Sequence, residues 1–211
     1  MEKIRMSKYA QYYDSTLNIE SAAIATLAKL LDYEVLDSIV ELLLTIKANK
    51  QKVITVGCGT SGTAAKRIAH LLNCIEVPSF YLSPSDALHG AMGSIQEGDV
   101  VVMITKGGNT SEVISYIPCC KDKGAVIIGV TENADSVLAK QSDIVMLLNS
   151  GQEPCQWGIM PCSSTLCVMA AWDAIILTAM RFNGFTKEEF LRIHPNGKTA
   201  DRLTELIEKQ R

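Results

Sequence analysis

The sequence predicts an α/β fold: a doubly wound, five-stranded parallel sheet with helical additions at both ends. Three observations carry that expectation. Beyond Lys52, five short apolar runs recur, and stretches with helical spacing separate them. The runs are apolar at consecutive positions, which marks strands covered on both faces rather than half-exposed ones. Glycine- and hydroxyl-rich turns follow the first and third runs and lead straight into helical stretches. That order of strand, turn and helix is what right-handed crossovers between parallel strands require.

Residues 1 to about 50 read as two antiparallel helices. Leu27, Leu30 and Leu31, then Val35, Ile39, Leu42, Leu43 and Ile46, recur at three- and four-residue spacing, with a break near Asp32 and Tyr33. Strands are predicted at 53–56, 79–82, 100–104, 126–130 and 144–148, with helices at 61–72, 111–123 and 136–140 between them. The most apolar stretch, 165–180, is interrupted by Asp173 and falls short of the roughly 20 residues a membrane span needs. It reads as a helix buried on all sides, with Asp173 as a buried, hydrogen-bonded specificity or interface residue. Gly184 ends that helix and another follows Pro195. The expected organisation is a helical segment 1–50 packing on a domain of residues 51–211, the two forming a single folding unit.

Composition removes several function classes. The chain has 211 residues, 47% hydrophobic and 20% charged, which excludes a disordered polymer. Lys+Arg 20 against Asp+Glu 23 leaves a net charge of −3, without the dense positive field that nucleic-acid binding needs. Aromatics at 6% are too few for a base-stacking platform. The opening MEKIRMSKYAQYYDS places charges and tyrosines where a secretion signal needs an apolar core. Seven scattered cysteines without a C-x-x-C pair point to free thiols rather than a metal site. The expectation is a cytoplasmic protein with no membrane partner.

Ligands of an open parallel sheet bind at the carboxyl ends of the strands. After the first strand stands Gly57-Cys58-Gly59-Thr60-Ser61-Gly62; after the third stands Thr105-Lys106-Gly107-Gly108-Asn109-Thr110-Ser111-Glu112. Each aims backbone N–H groups and a helix start at one spot, an arrangement suited to phosphate or another anion. The first loop formally matches the dinucleotide fingerprint G-x-G-x-x-G. A dinucleotide site also wants an acidic residue at the end of the second strand. Here that strand ends Tyr81-Leu82-Ser83, and Asp86 comes late. Two glycine-hydroxyl loops on neighbouring strands suit a small phosphorylated ligand better.

The two loops resemble those of the SIS (sugar isomerase) domain, whose ligand phosphate is cradled by serine and threonine hydroxyls. Pro84-Ser85-Asp86-Ala87-Leu88-His89-Gly90, Gln152-Glu153-Pro154-Cys155, Pro161-Cys162-Ser163-Ser164-Thr165 and Arg192-Ile193-His194-Pro195-Asn196-Gly197 follow in the order seen in the arabinose-5-phosphate isomerase branch. The resemblance spans roughly residues 20–205 and implies a flavodoxin-like sheet that assembles as a homo-tetramer or homo-dimer. Longer members of that branch add two CBS repeats, and the SIS domain here is expected to stand without them.

The departures from the pattern are specific. Thr60 stands where the branch usually has a lysine. Gly107 replaces a serine, and Asn109 replaces a glutamate, as in phosphoheptose isomerases. Lys106 is a candidate source of the missing positive charge near the phosphate.

The resemblance implies a sugar-phosphate aldose–ketose isomerase working through an enediol. One group takes the proton from carbon and a second serves the oxygen and ring opening. Glu153 and His194 match the family's acidic and histidine positions and are the candidate pair, Glu153 as the base on carbon and His194 as the acid–base on oxygen and ring, with the reverse assignment as the alternative. Gly59, Thr60, Ser61, His89, Thr105, Lys106, Gly107, Asn109 and Thr110 are the candidate phosphate- and substrate-binding residues. No cofactor and no metal are expected. Ser163 and Ser164 precede the apolar helix, where they cap it or join the ligand site. The alternative is a non-catalytic phosphosugar-binding SIS module, a sensor or regulator marked by Thr60 and Asn109.

Overall fold

The computed structural model describes residues 7–209; the first six residues of the opening segment lie outside the described residues. Five strands, β1 (Val53–Gly57), β2 (Ser79–Tyr81), β3 (Val100–Ile104), β4 (Val126–Thr131) and β5 (Ile144–Leu147), form one sheet in the order β2-β1-β3-β4-β5. Every pairing is parallel, with Val53 beside both Ser79 and Val100, and Val100 beside Val126. The strand order reverses between β1 and β3, so a crevice opens there at the carboxyl edge.

Ten helices accompany the sheet among the described residues: α1 (Ala10–Leu30), α2 (Tyr33–Ile46), α3 (Gly59–Asn73), α4 (Pro84–Ala87), α5 (Ser111–Ile114), α6 (Tyr116–Asp122), α7 (Val137–Gln141), α8 (Ser163–Phe182), α9 (Lys187–Ile193) and α10 (Gly197–Glu208). Asp32 separates α1 from α2 by accepting the N–H groups of Glu34 and Val35, which caps the second helix. The helix predicted over 111–123 is two short ones joined at Ser115. Pro118 is the reason: it has no N–H to return to Ile114, and its ring crowds that carbonyl.

Alternate residues of the central strands feed two cores. Val100, Val102 and Ile104 join Ile39, Leu43, Ile68, Trp172 and Ile176 on one face. Val101 and Met103 join Ile54, Val56, Tyr116, Ile117 and Ile127 on the other. Helices α1, α2 and α3 all pack on α8. That helix is not buried on all sides: Leu177 and Phe182 are 57% and 70% exposed. One stripe of α8 suffices to cover the sheet, and the rest of its apolar surface faces outward in the single chain. Asp173 is not buried either; it lies half-exposed in a bidentate pair with Arg67 of α3, at 2.6 and 3.0 Å.

Candidate active site

Gly57 and Gly62 bring the start of α3 against the end of β1. A Cβ on Gly57 would meet the Ser61 carbonyl at 2.8 Å, and one on Gly62 would meet the Gly57 oxygen at 2.7 Å. The Tyr81 hydroxyl donates to that same oxygen at 2.9 Å and fixes the turn. Helix α3 begins with no side-chain cap, so the N–H groups of its first turn have no partner within the helix. Thr60 and Ser61 stand at this start and line a cleft of about 300 Å³.

The second loop supplies the neighbouring wall. The Thr105 and Thr110 hydroxyls are 2.7 Å apart, and both line the cleft with Lys106 and Gly107. Asn109 turns the other way: its Oδ1 accepts the Val137 N–H at 2.9 Å and holds the first turn of α7. Gly108 (φ +69°) packs so closely on Ser136 that a Cβ there would lie 2.0 Å from the hydroxyl oxygen.

Glu153 lies buried at the start of α8. Its Oε2 accepts the Cys162 and Ser163 N–H groups, both at 2.8 Å. Its Oε1 accepts the Ser164 hydroxyl at 2.5 Å, the Ser164 N–H at 3.3 Å and the Lys106 ammonium at 2.7 Å. Burial pushes this carboxyl up, but Lys106, Ser164 and the Cys162 N–H outweigh it, and the group is held below the usual carboxylate range. The carboxylate does not itself line the cleft; Lys106 and Ser164 do, and they stand in front of it. Lys106 also lies 3.8 Å from Glu132 Oε2, and Glu132 Oε1 accepts the Ser150 N–H at 3.1 Å. The ammonium therefore faces two carboxylates, not the hydroxyl pair.

Two candidate residues stand apart from this cleft within one chain. His89 is exposed after α4. His194 ends α9 with its ring edge-on to Phe190 (centroids 4.5 Å) and its Nε2 3.8 Å from Cys74 Sγ. Cys74 is at the far end of α3 from Ser61, roughly 20 Å away at 1.5 Å of rise per residue. Gly59 (φ +56°) starts α3 beside Thr60.

Sequence reasoning did not find Thr131, Glu132 and Ile159, which also line the cleft. Ile159 is laid there by the Cys155 thiol, which accepts the Met160 and Ile159 N–H groups at 3.1 and 3.2 Å. Those contacts, Met160 foremost, hold the thiol below its ordinary range. No spacing rule marks these residues together, because they come from two separate segments, the end of β4 and the loop before α8. The described residues contain no cluster of three or more His, Cys, Asp or Glu able to hold a metal.

A parallel sheet in this order, with hydroxyl loops after β1 and β3, is a flavodoxin-like α/β architecture whose ligand crevice lies at the β1–β3 switch point. The chain belongs to the SIS family: the SIS domain model matches residues 46–178. Among curated relatives it is 37% identical over 161 residues to arabinose 5-phosphate isomerase KdsD of Pseudomonas aeruginosa, covering 76% of this chain and 49% of that protein. It is 34% identical over 188 residues to arabinose 5-phosphate isomerase KpsF of Escherichia coli, covering 89% and 57%. The chain thus spans about half the length of the curated relatives it matches. Among solved structures, a candidate sugar-phosphate isomerase of Listeria monocytogenes superposes with a TM-score of 0.86 at 42% identity, over 90% of this chain and 100% of that one. An Escherichia coli protein in complex with arabinose 5-phosphate superposes with a TM-score of 0.83 at 25% identity, with the same coverage.

Proposed function

We propose that this chain is an aldose–ketose isomerase of a phosphorylated sugar, acting by proton transfer through an enediol. The observation that carries the proposal is a cleft with two chemically different ends. At the β1–β3 switch point, Ser61, Thr105 and Thr110 hydroxyls meet the uncapped start of α3, a place for phosphate. Toward β4 and α8 stand Lys106 and Ser164, backed by the buried Glu153. The relatives named for arabinose 5-phosphate isomerisation support this reading, and the ligand of the Escherichia coli complex supports a sugar phosphate here too.

Glu153 and His194 are the proposed proton-transfer pair. Because His194 lies at the distant end of α3 in its own chain, a second copy must bring it to the cleft. A homo-dimer or homo-tetramer is therefore part of the proposal. Exposed Tyr9, Tyr12, Tyr13 and Leu17 on and beside α1, with Leu177 and Phe182 on α8, offer apolar surface for assembly. A cytoplasmic setting is proposed from the seven free cysteines.

One observation favours a second reading, a binding module without turnover: Glu153 is engaged by five donor contacts and screened from the cleft. Incubating the protein with aldose and ketose phosphates in D₂O separates the two. An isomerase places deuterium on the carbon beside the carbonyl, whereas a module binds the sugar phosphate and converts none of the panel.

A further inference from the structure

We propose that Lys106 is a catalytic residue that stabilises the enediolate oxygen, with Glu132 positioning it, and that it is not a phosphate ligand. The inference rests on the isomerase reading and assigns a role within it. The Lys106 side chain runs toward Glu153 and Glu132. Its neighbour Thr105 contributes a hydroxyl to the β1–β3 end of the cleft. The Lys106 ammonium instead lies at the opposite end, 2.7 Å from Glu153 and 3.8 Å from Glu132.

The backbone of Lys106 is pinned in a way that sets this direction. Its carbonyl accepts both the Thr131 hydroxyl and the Glu132 N–H at 2.9 Å. The loop after β3 is thereby tied to the end of β4, and Glu132 is tied to the loop after β5 through Ser150. Three strand ends thus hold one ammonium group. An ammonium has three donors; Glu153 takes one, and Glu132 lies beyond hydrogen-bond distance. The side chain remains 40% exposed to the cleft, so donors are free to meet a ligand oxygen.

The chemistry at that place follows. When a base takes the proton from the carbon beside the carbonyl, the electron pair left behind forms the new C=C bond and negative charge develops on the carbonyl oxygen. A fixed cation aimed at that oxygen lowers the barrier, and removing one such donor typically costs about 10²–10³ in kcat. Glu153, buried behind the ammonium, holds it in place through their 2.7 Å hydrogen bond. Glu132 sets its angle from the other side. The phosphate end needs no lysine for this scheme, since hydroxyls and helix N–H groups supply its donors.

The test uses the full chain and two probes. Inorganic phosphate reads the hydroxyl end alone; four- and five-carbon aldonohydroxamate phosphates, which copy the planar enediolate, read both ends. Wild type is expected to bind a hydroxamate about 10²-fold or more tighter than phosphate and than the matching sugar phosphate, the second comparison being the one that transition-state analogues obey. Lys106→Met is expected to erase most of that preference with phosphate affinity within about twofold, and Lys106→Arg to restore part of it. Glu132→Gln is expected to reduce the preference while leaving phosphate binding unchanged, which a merely structural role would not do.

If Lys106→Met unfolds because Glu153 is left unpaired, Glu153→Gln with and without Lys106→Met makes the same comparison. A hydroxamate preference that is absent in wild type, or survives Lys106→Met, overturns the assignment. So does a loss of phosphate binding beyond twofold in the folded variant. A preference that depends on Lys106, in a protein that converts no sugar phosphate, sinks the isomerase reading and upholds the oxyanion site.

Discussion

Asn109 and Val137, 28 positions apart, are joined by a 2.9 Å hydrogen bond from the Val137 N–H to Asn109 Oδ1. The residue that departs most visibly from the isomerase pattern thus serves the start of α7. Ser136 caps the same helix through Ala139 N–H, and the Gly108 carbonyl accepts Leu138 N–H at 3.0 Å. Asn109→Ala should destabilise the fold by about 1 kcal/mol, as loss of a helix-start acceptor does, with phosphate binding unchanged. Urea unfolding beside phosphate titration checks both halves. Weakened phosphate binding at unchanged stability would return Asn109 to the ligand site.

The hydroxyl end of the cleft has its own test. Ser61→Ala with Thr110→Ala should weaken binding of inorganic phosphate and of sugar phosphates by about 1–3 kcal/mol, measured by calorimetry. Equal affinity in the double variant would move the anion site elsewhere.

Acid stability should depend on Glu153. Its folded carboxyl is held below the reference value of 4.5, so it contributes stability that is fully present above that pH. The contribution is lost as the pH falls below 4.5 through the lower folded value. Denaturant midpoints of wild type should fall across this window more steeply than those of Glu153→Gln. Parallel pH profiles of the two proteins would contradict the assignment.

Glu153→Gln and His194→Asn should each keep the fold and cut turnover by about 10²–10⁴-fold. If His194 works in a partner's cleft, mixing the two inactive variants under subunit exchange should restore part of the activity, because some clefts regain both groups. Activity that stays absent in verified mixed oligomers argues against a shared site. Light scattering at micromolar concentration must find an assembly, and a monomer would remove the basis for the sharing.

The strands are legible in the sequence because a sheet covered on both faces leaves uninterrupted apolar runs such as Val100–Ile104. The β1–β3 half of the cleft is legible for a related reason: Ser61, Thr105 and Thr110 follow directly on strands, where the fold puts its ligands. The other half is not. Lys106, Glu132 and Glu153 meet because three strand ends lie side by side, and no local spacing encodes that. Glu153 caps α8 from ten residues upstream of Ser163, outside the reach of any local capping rule. Pro118 did announce the division between α5 and α6, and the apolar spacing of its neighbours concealed it. The outward face of α8 is hidden for the opposite reason: composition counts Leu177 and Phe182 as apolar without saying what they touch.

The contact between Gly57 and Gly62 bears on how such turns are interpreted in other chains. Both lack a side chain because the first turn of α3 lies against the end of β1 with no room for a methyl group, a limit imposed by main-chain geometry before any ligand arrives. The spacing that spells a dinucleotide fingerprint is therefore a joint between a parallel strand and its following helix. What such a joint carries, nucleotide or sugar phosphate, is decided by the groups beside it, here the hydroxyls of Ser61, Thr105 and Thr110.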